Sequence, residues 1–187
     1  MRRKTESLLF KFAVIFIGFT VVMIGLSAVI TYGNQTTIYL QQCEERLQNI
    51  SQYLDLLIEA EGDEFIAYQE YMLENYDKVL IPKDFNTYLP EKHEFERLFA
   101  EKYPGKTLFK DIQFDELSDD VQLAFAKYKH EYWYLTFEEA RSAFDVIYTY
   151  YVVPTGQKEH MYYVIDAIRD TIEVDGNEYL LLRLDVD

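Results

Sequence analysis

Histidine is the side chain most often used for proton transfer and metal binding near neutral pH, and it occurs three times, at His93, His130 and His160. His130-Glu131 opens like a helical zinc-hydrolase motif. The position four residues after the histidine is Tyr134, so no second imidazole shares its helical face. Carboxylate pairs such as Asp119-Asp120 and Glu138-Glu139 abound. In a chain with 33 acidic residues, adjacency alone does not set one carboxyl apart as acid and another as base. Serine lacks the G-x-S-x-G elbow that exposes a nucleophile between strand and helix. The seven glycines never take the spacing that wraps backbone amides around phosphate. These residues specify no catalysis, no cofactor and no metal. An envelope hydrolase acting through paired carboxylates is the enzymatic alternative.

Aromatic residues are the more informative concentration. The segment YKHEYWYLTFEEARSAF, residues 128–144, leads into a strand-like stretch with Tyr148, Tyr150 and Tyr151. Core packing explains such a run, because buried rings dominate domain interiors. A ligand pocket explains it too, with Trp133 and Tyr150 as walls and Arg141 or Asp166 fixing a carboxylate or an amine on a small molecule. The candidate ligand-binding residues are therefore Trp133, Arg141, Tyr150 and Asp166.

The elements that would carry such a site begin at a membrane. Residues 12–30 read FAVIFIGFTVVMIGLSAVI, an uncharged run near the roughly 20 residues that cross bilayer hydrocarbon. A cleaved signal has a shorter apolar stretch and a small-residue cleavage site, whereas Thr31-Tyr32 follows here. Arg2, Arg3, Lys4 and Lys11 flank one side, and the next basic residue is Arg46. The positive-inside rule then keeps residues 1–11 cytoplasmic, embeds 12–32 in the bilayer and exports the rest. Beyond residue 11 the chain holds 14 basic against 32 acidic residues, a formal charge of −18. That field repels phosphate, so nucleic acid is not an expected partner. A single cysteine, Cys43, rules out an intrachain disulfide.

After the span, Leu40, Cys43, Leu47, Ile50, Leu54 and Leu57 recur at spacings of three and four, the seam of a coiled coil. This predicts a stalk helix over 33–60 and a homodimer; a helix lying against its own domain explains the same stripe. Gly62-Asp63 closes the stalk and opens a second helix that ends by Pro82. Further helices are predicted at 90–103, from a Ser118 cap, and from a Thr136/Glu139 capping box through Phe144. Strands VIYTYYVVP, HMYYVIDAI and EYLLLRL follow, with turns at 154–156 and 175–177, as an antiparallel meander. The fold class is α+β, and residues 61–187 form the exported domain.

This order of basic terminus, span, juxtamembrane helix, helical turns and aromatic sheet resembles the extracytoplasmic Cache-type sensor regions of bacterial transmembrane receptors. FERLFAEKYPGKTL, FDELSDDVQLAFAKYKHEYWYLTFEEARSAF and YTYYVVP are similar to stretches in clostridial receptors whose cytoplasmic part is a diguanylate cyclase, phosphatase or kinase. The resemblance implies a PAS-like ligand-binding fold and a signalling role, and carries over no site residues. Such receptors return through a second span to an output domain, whereas this sequence stops at LLLRLDVD, so the sensor sheet is expected to be incomplete. The expected function is sensing of an unidentified small molecule, with no enzymatic activity in these residues. A single-span scaffold of the cell envelope is the alternative.

Overall fold

A computed structural model describes residues 2–154, 161–167 and 170–182, arranged as an α+β protein in two units, Met1–Gln48 and Asn49–Asp187. Helix α1 (Arg2–Glu61) starts in the first unit and ends in the second. No proline interrupts it, since the first of the four prolines is Pro82. In the first unit its apolar side chains are uncovered: Phe16 is 71% exposed and Val29 72%. The helix is long and apolar enough to cross a membrane. Thr20 within the apolar run, and Thr36 and Thr37 beyond it, donate their hydroxyls to carbonyls four residues back, which satisfies these three donors within the helix.

The second unit opens with residues 49–61 of α1. Gly62 then turns the chain at φ 55°, a left-handed conformation that favours glycine, and α2 (Asp63–Asn75) begins. Helix α3 (Leu89–Lys102) has Pro90 in its first turn, where a missing N–H costs nothing. Helix α4 (Asp119–Ala143) is unbroken, so the separate helix expected from Thr136 does not form. Thr136 instead donates to the Tyr132 carbonyl within α4. The inward stripe of Trp133, Tyr134, Phe137 and Ala140 simply continues through that point.

Strands β1 (Tyr150–Pro154) and β2 (Met161–Asp166) pair antiparallel, with a register shift between Tyr151 and Val152. Strands β3 (Thr171–Val174) and β4 (Asn177–Leu180) form a second antiparallel pair. The single meander expected from the sequence is thus two small sheets among the described residues. Strand β3 was not anticipated, because TIEV is only four residues long and Glu173 interrupts its apolar character. The turn at Asp175-Gly176 does form, with φ 52° and 79°, as a two-residue hairpin of this kind requires. Residues 155–156 of the predicted turn, both ends of the second predicted strand (160 and 168) and residues 183–184 of the last one lie outside the described residues. Residues 81–83 add to β4: Leu180 N–H donates to Ile81 O (2.8 Å) and Lys83 N–H to Glu178 O (3.2 Å).

The main core joins Ile50 and Leu54 of α1, Phe65, Tyr68 and Met72 of α2, the α4 stripe, and Tyr162, Val164 and Ile165 of β2. Ile50 and Leu54 are only 6% and 7% exposed and Leu57 packs beside them. This corrects the expected dimer seam: these three residues are covered by their own domain, and withdrawing each buried aliphatic side chain would cost about 1.5 to 3 kcal/mol. Only Leu40 and Leu47 (62% and 59% exposed) and the half-buried Cys43 remain open to a partner. A smaller cluster of Ile112, Leu117 and Val121 receives Phe95, Leu98 and Phe99 from α3.

Inside this aromatic core sits a lysine. Lys129 of α4 is 1% exposed, and its ammonium contacts both the Glu61 carboxylate at the end of α1 and the Glu64 carboxylate in the first turn of α2. The rings of Phe125, Tyr128 and Tyr132 lie 5.1 to 5.7 Å from the same nitrogen. Burial opposes the charge, but the two carboxylates outweigh it and hold the Lys129 pKa above its ordinary value. Removal of the ammonium in Lys129→Met should destabilise the domain by about 3 kcal/mol in denaturant titration, since it strands two carboxylates. Glu64→Gln, whose side chain is 45% exposed, should cost less than about 1 kcal/mol. Equal losses in the two variants would show that Glu64 alone carries the pairing, and no loss in Lys129→Met would show that the ion contacts do not hold the domain together.

Candidate functional site

The four residues expected to bind ligand do not converge. Trp133 is fully buried, edge-on to Phe65 with centroids 4.9 Å apart, so it is a core residue and not a pocket wall. Arg141 lies in the last turn of α4, half-buried. Tyr150 and Asp166 are brought together, opposite one another across the β1–β2 ladder, but Tyr150 is 52% exposed and packs on Tyr163. Neither cavity described next is lined by more than one of the four.

The first is a cleft of about 790 Å³ along α2. One wall is the α2 face bearing Asp63, Ile66, Glu70 and Glu74, and the other is the 109–115 segment with Phe109, Phe114 and Asp115. Residues 63, 70 and 74 share a face because seven and four residues are close to whole helical turns. Tyr71 reaches across to Phe114, edge to face at 5.9 Å. The facing segment is pinned in an uncommon shape: Phe109 has φ 63°, rare for a bulky residue. Its N–H donates to Ile112 O (2.9 Å), while the Asp111 carboxylate accepts from Thr107 N–H (2.9 Å). Gln113 and Glu116 close a capping box just beyond. The volume lies in the range of small-molecule sites. Sequence reasoning missed this cleft. The available signal was the recurrence of Asp63, Glu70 and Glu74 at i, i+7 and i+11 on the second helix, opposite its buried stripe.

The second is a small, partly open cavity beside His130, lined also by Asp166 and residues 180–182. The Tyr68 hydroxyl lies 2.9 Å from His130 Nδ1 and 3.2 Å from the Val164 carbonyl. A carbonyl can only accept, so with both bonds made the phenol donates to Val164 and His130 carries its proton on Nδ1. Burial drives the His130 pKa down to about 4, which keeps the ring neutral. Its neighbour Glu131, 3% exposed, is pushed up to about 7, first by burial and then by Glu91, against the pull of Lys127.

These two shifts oppose each other in stability. Glu131 holds its proton more tightly in the fold, so its contribution is full below about pH 4.5 and is lost as the pH rises through about 7. His130 holds its proton less tightly, so its contribution is full above about pH 6.5 and is lost as the pH falls through about 4. Between pH 4.5 and 6.5 the two slopes cancel. Glu131→Gln should therefore unmask the histidine, gaining about 2 to 3 kcal/mol of stability relative to the parent over that rise in pH. Parallel pH profiles for the two proteins would contradict the assignment. Comparison of the chain with known protein families, with curated proteins and with solved structures finds no match.

Proposed function

We propose that this is a membrane-anchored ligand-sensing protein, with residues 12–32 in the bilayer, its basic end cytoplasmic and its second unit an extracytoplasmic sensor of the PAS-like, Cache type. The observation that carries the reading is the 790 Å³ cleft on α2. A preformed concavity with aromatic and ionisable walls is what a binding domain needs, whereas a scaffold needs none. Basic flanks on one side of an apolar helix support the orientation.

In this reading the signal leaves through α1. Helix α2 follows α1 after one glycine, and both are tied to α4 by Lys129. A ligand gripping α2 acts on α1 only by binding two states of that junction with different affinity. Copies pair through Leu40, Cys43 and Leu47, the part of the stripe that the domain leaves open. An output domain of signalling chemistry would lie outside these residues.

The test is ligand-induced thermal stabilisation of the full chain in nanodiscs, screened against fractionated metabolites. One fraction should raise the melting temperature of the parent and not of Ile66→Trp, which places an indole in the cleft at a side chain already 52% exposed. Stabilisation that persists in Ile66→Trp, or none with any fraction, would refute the cleft as the sensing site. Under mild oxidation Cys43 should give a disulfide-linked dimer, and cross-linking better from Glu44→Cys in a Cys43→Ser background would remove the proposed seam.

A further inference from the structure

The face of α4 beneath α3 holds a buried carboxyl group without a partner. Glu131 is 3% exposed, and among the described residues its carboxyl forms neither an ion pair nor a hydrogen bond. Such a site disfavours the carboxylate and tolerates the neutral acid. Two charges act on it: Glu91 in the first turn of α3 repels it, and Lys127, one turn earlier on α4, attracts it from beyond ion-pair distance. Other charges of the neighbouring elements are engaged or turned outward. Lys92 lies 3.8 Å from Glu96, Lys83 pairs with Glu178, and Asp84, His93 and Glu94 are exposed. Glu138 lies two turns further along α4 and is half-buried.

The cover over this carboxyl is lightly fastened. Tyr128, Glu131 and Tyr134 follow one another at three-residue spacing along one face of α4. Residues 84–88, a strap without helix or strand, lead across that row into α3. Phe85 is edge-on to Tyr134 at 5.3 Å, while Tyr88 meets Tyr128 at 5.9 Å and Tyr132 at 5.1 Å, so the strap passes over Glu131 between its two fastenings. Among the described residues, no main-chain hydrogen bond joins residues 84–87 to another element. Helix α3 has no fully buried side chain and rests on α4 through Phe95 against Phe125 (5.2 Å) and Lys102 against Asp120 (2.6 Å). A segment with so few buried contacts opens more readily than the core.

We propose that Glu131 is a proton-operated latch: protonated, it lets the strap and the first turns of α3 close on α4, and as a carboxylate facing Glu91 it loosens them. Opening gives water to Glu131 alone. The adjacent His130 stays buried, its Nδ1 held by the Tyr68 hydroxyl at 2.9 Å. Burial first, and then Glu91, push Glu131 up to about 7 when the cover is closed, and opening returns it toward the ordinary 4.5. The closed form therefore holds the proton more tightly. Closure is strongest below about pH 4.5, weakens about tenfold per pH unit up to about pH 7, and is constant above that.

Hydrogen–deuterium exchange of the full chain in nanodiscs at about pH 5 and about pH 6.5 tests it, each amide rate being divided by that of an unstructured chain at the same pH. Protection of the amides in residues 88–96 should fall about thirtyfold between the two conditions, at about tenfold per pH unit. Protection of α2 should stay level, because global unfolding also releases His130, whose opposite slope cancels that of Glu131. In Glu131→Gln the fall in α3 should vanish. Glu91→Gln removes the repulsion and keeps the carboxyl, so it should lessen the fall, and it serves as the second variant if Glu131→Gln does not fold. Parallel changes in α3 and α2, no fall in the parent, or a fall that neither variant alters overturns the proposal.

Discussion

The arrangement of the second unit depends on one buried ammonium. Lys129 is enclosed by Phe125, Tyr128 and Tyr132 and neutralised by Glu61 and Glu64, which stand on either side of Gly62. A lysine in an aromatic interior is tolerable only with its charge compensated, so the fold must bring the end of α1 and the start of α2 to the same point on α4. Apolar packing of Ile50, Leu54, Phe65 and Trp133 gives the energy of that approach. The ion contacts give its register. Hydrophobic contacts tolerate a slide of a residue or so, whereas two carboxylates on one nitrogen do not.

That constraint sets the orientation of α2. With Phe65, Tyr68 and Met72 turned inward and Glu64 held at Lys129, the face bearing Asp63, Glu70 and Glu74 has to look outward. The 109–115 segment then meets it as the opposite wall. Phe109 at positive φ is the strained element of that wall, and it is fixed by the turn that Thr107 and Asp111 close.

Most of the helical frame was legible in the residues. Apolar length and basic flanks marked the membrane-compatible part of α1, Gly62 its end, Pro90 the start of α3 and Ser118 the start of α4. Where structure and sequence pattern part, the cause is common: tertiary packing overrides a local signal. Thr136/Glu139 has the letters of a capping box, yet the stripe of Trp133, Phe137 and Ala140 has more to gain by continuing one helix. The heptad stripe was real, but from Ile50 onward it faces the chain's own core, an alternative that spacing alone could not separate from a seam. The aromatic run, by contrast, is core, the first of the two readings its composition allows, as Trp133 shows most clearly. The cleft was missed because half of it belongs to a loop whose shape has no periodic signature.

The acidic face of α2 also explains why so aromatic a core is needed. A helix of 13 residues bearing Asp63, Glu64, Glu70 and Glu74 and no basic residue is a poor helix in isolation, with like charges one turn apart. Its stability has to come from the other side, where Phe65, Tyr68 and Met72 are each at most 2% exposed. Each such side chain contributes about 1.5 to 3 kcal/mol on burial, against the few tenths lost to each repelling pair. The hydrophobic face therefore lets the opposite face stay uncompensated. Placing lysines beside Glu70 and Glu74 would have been the simpler route to a stable helix, and the negative potential of the cleft exists because that route is not taken.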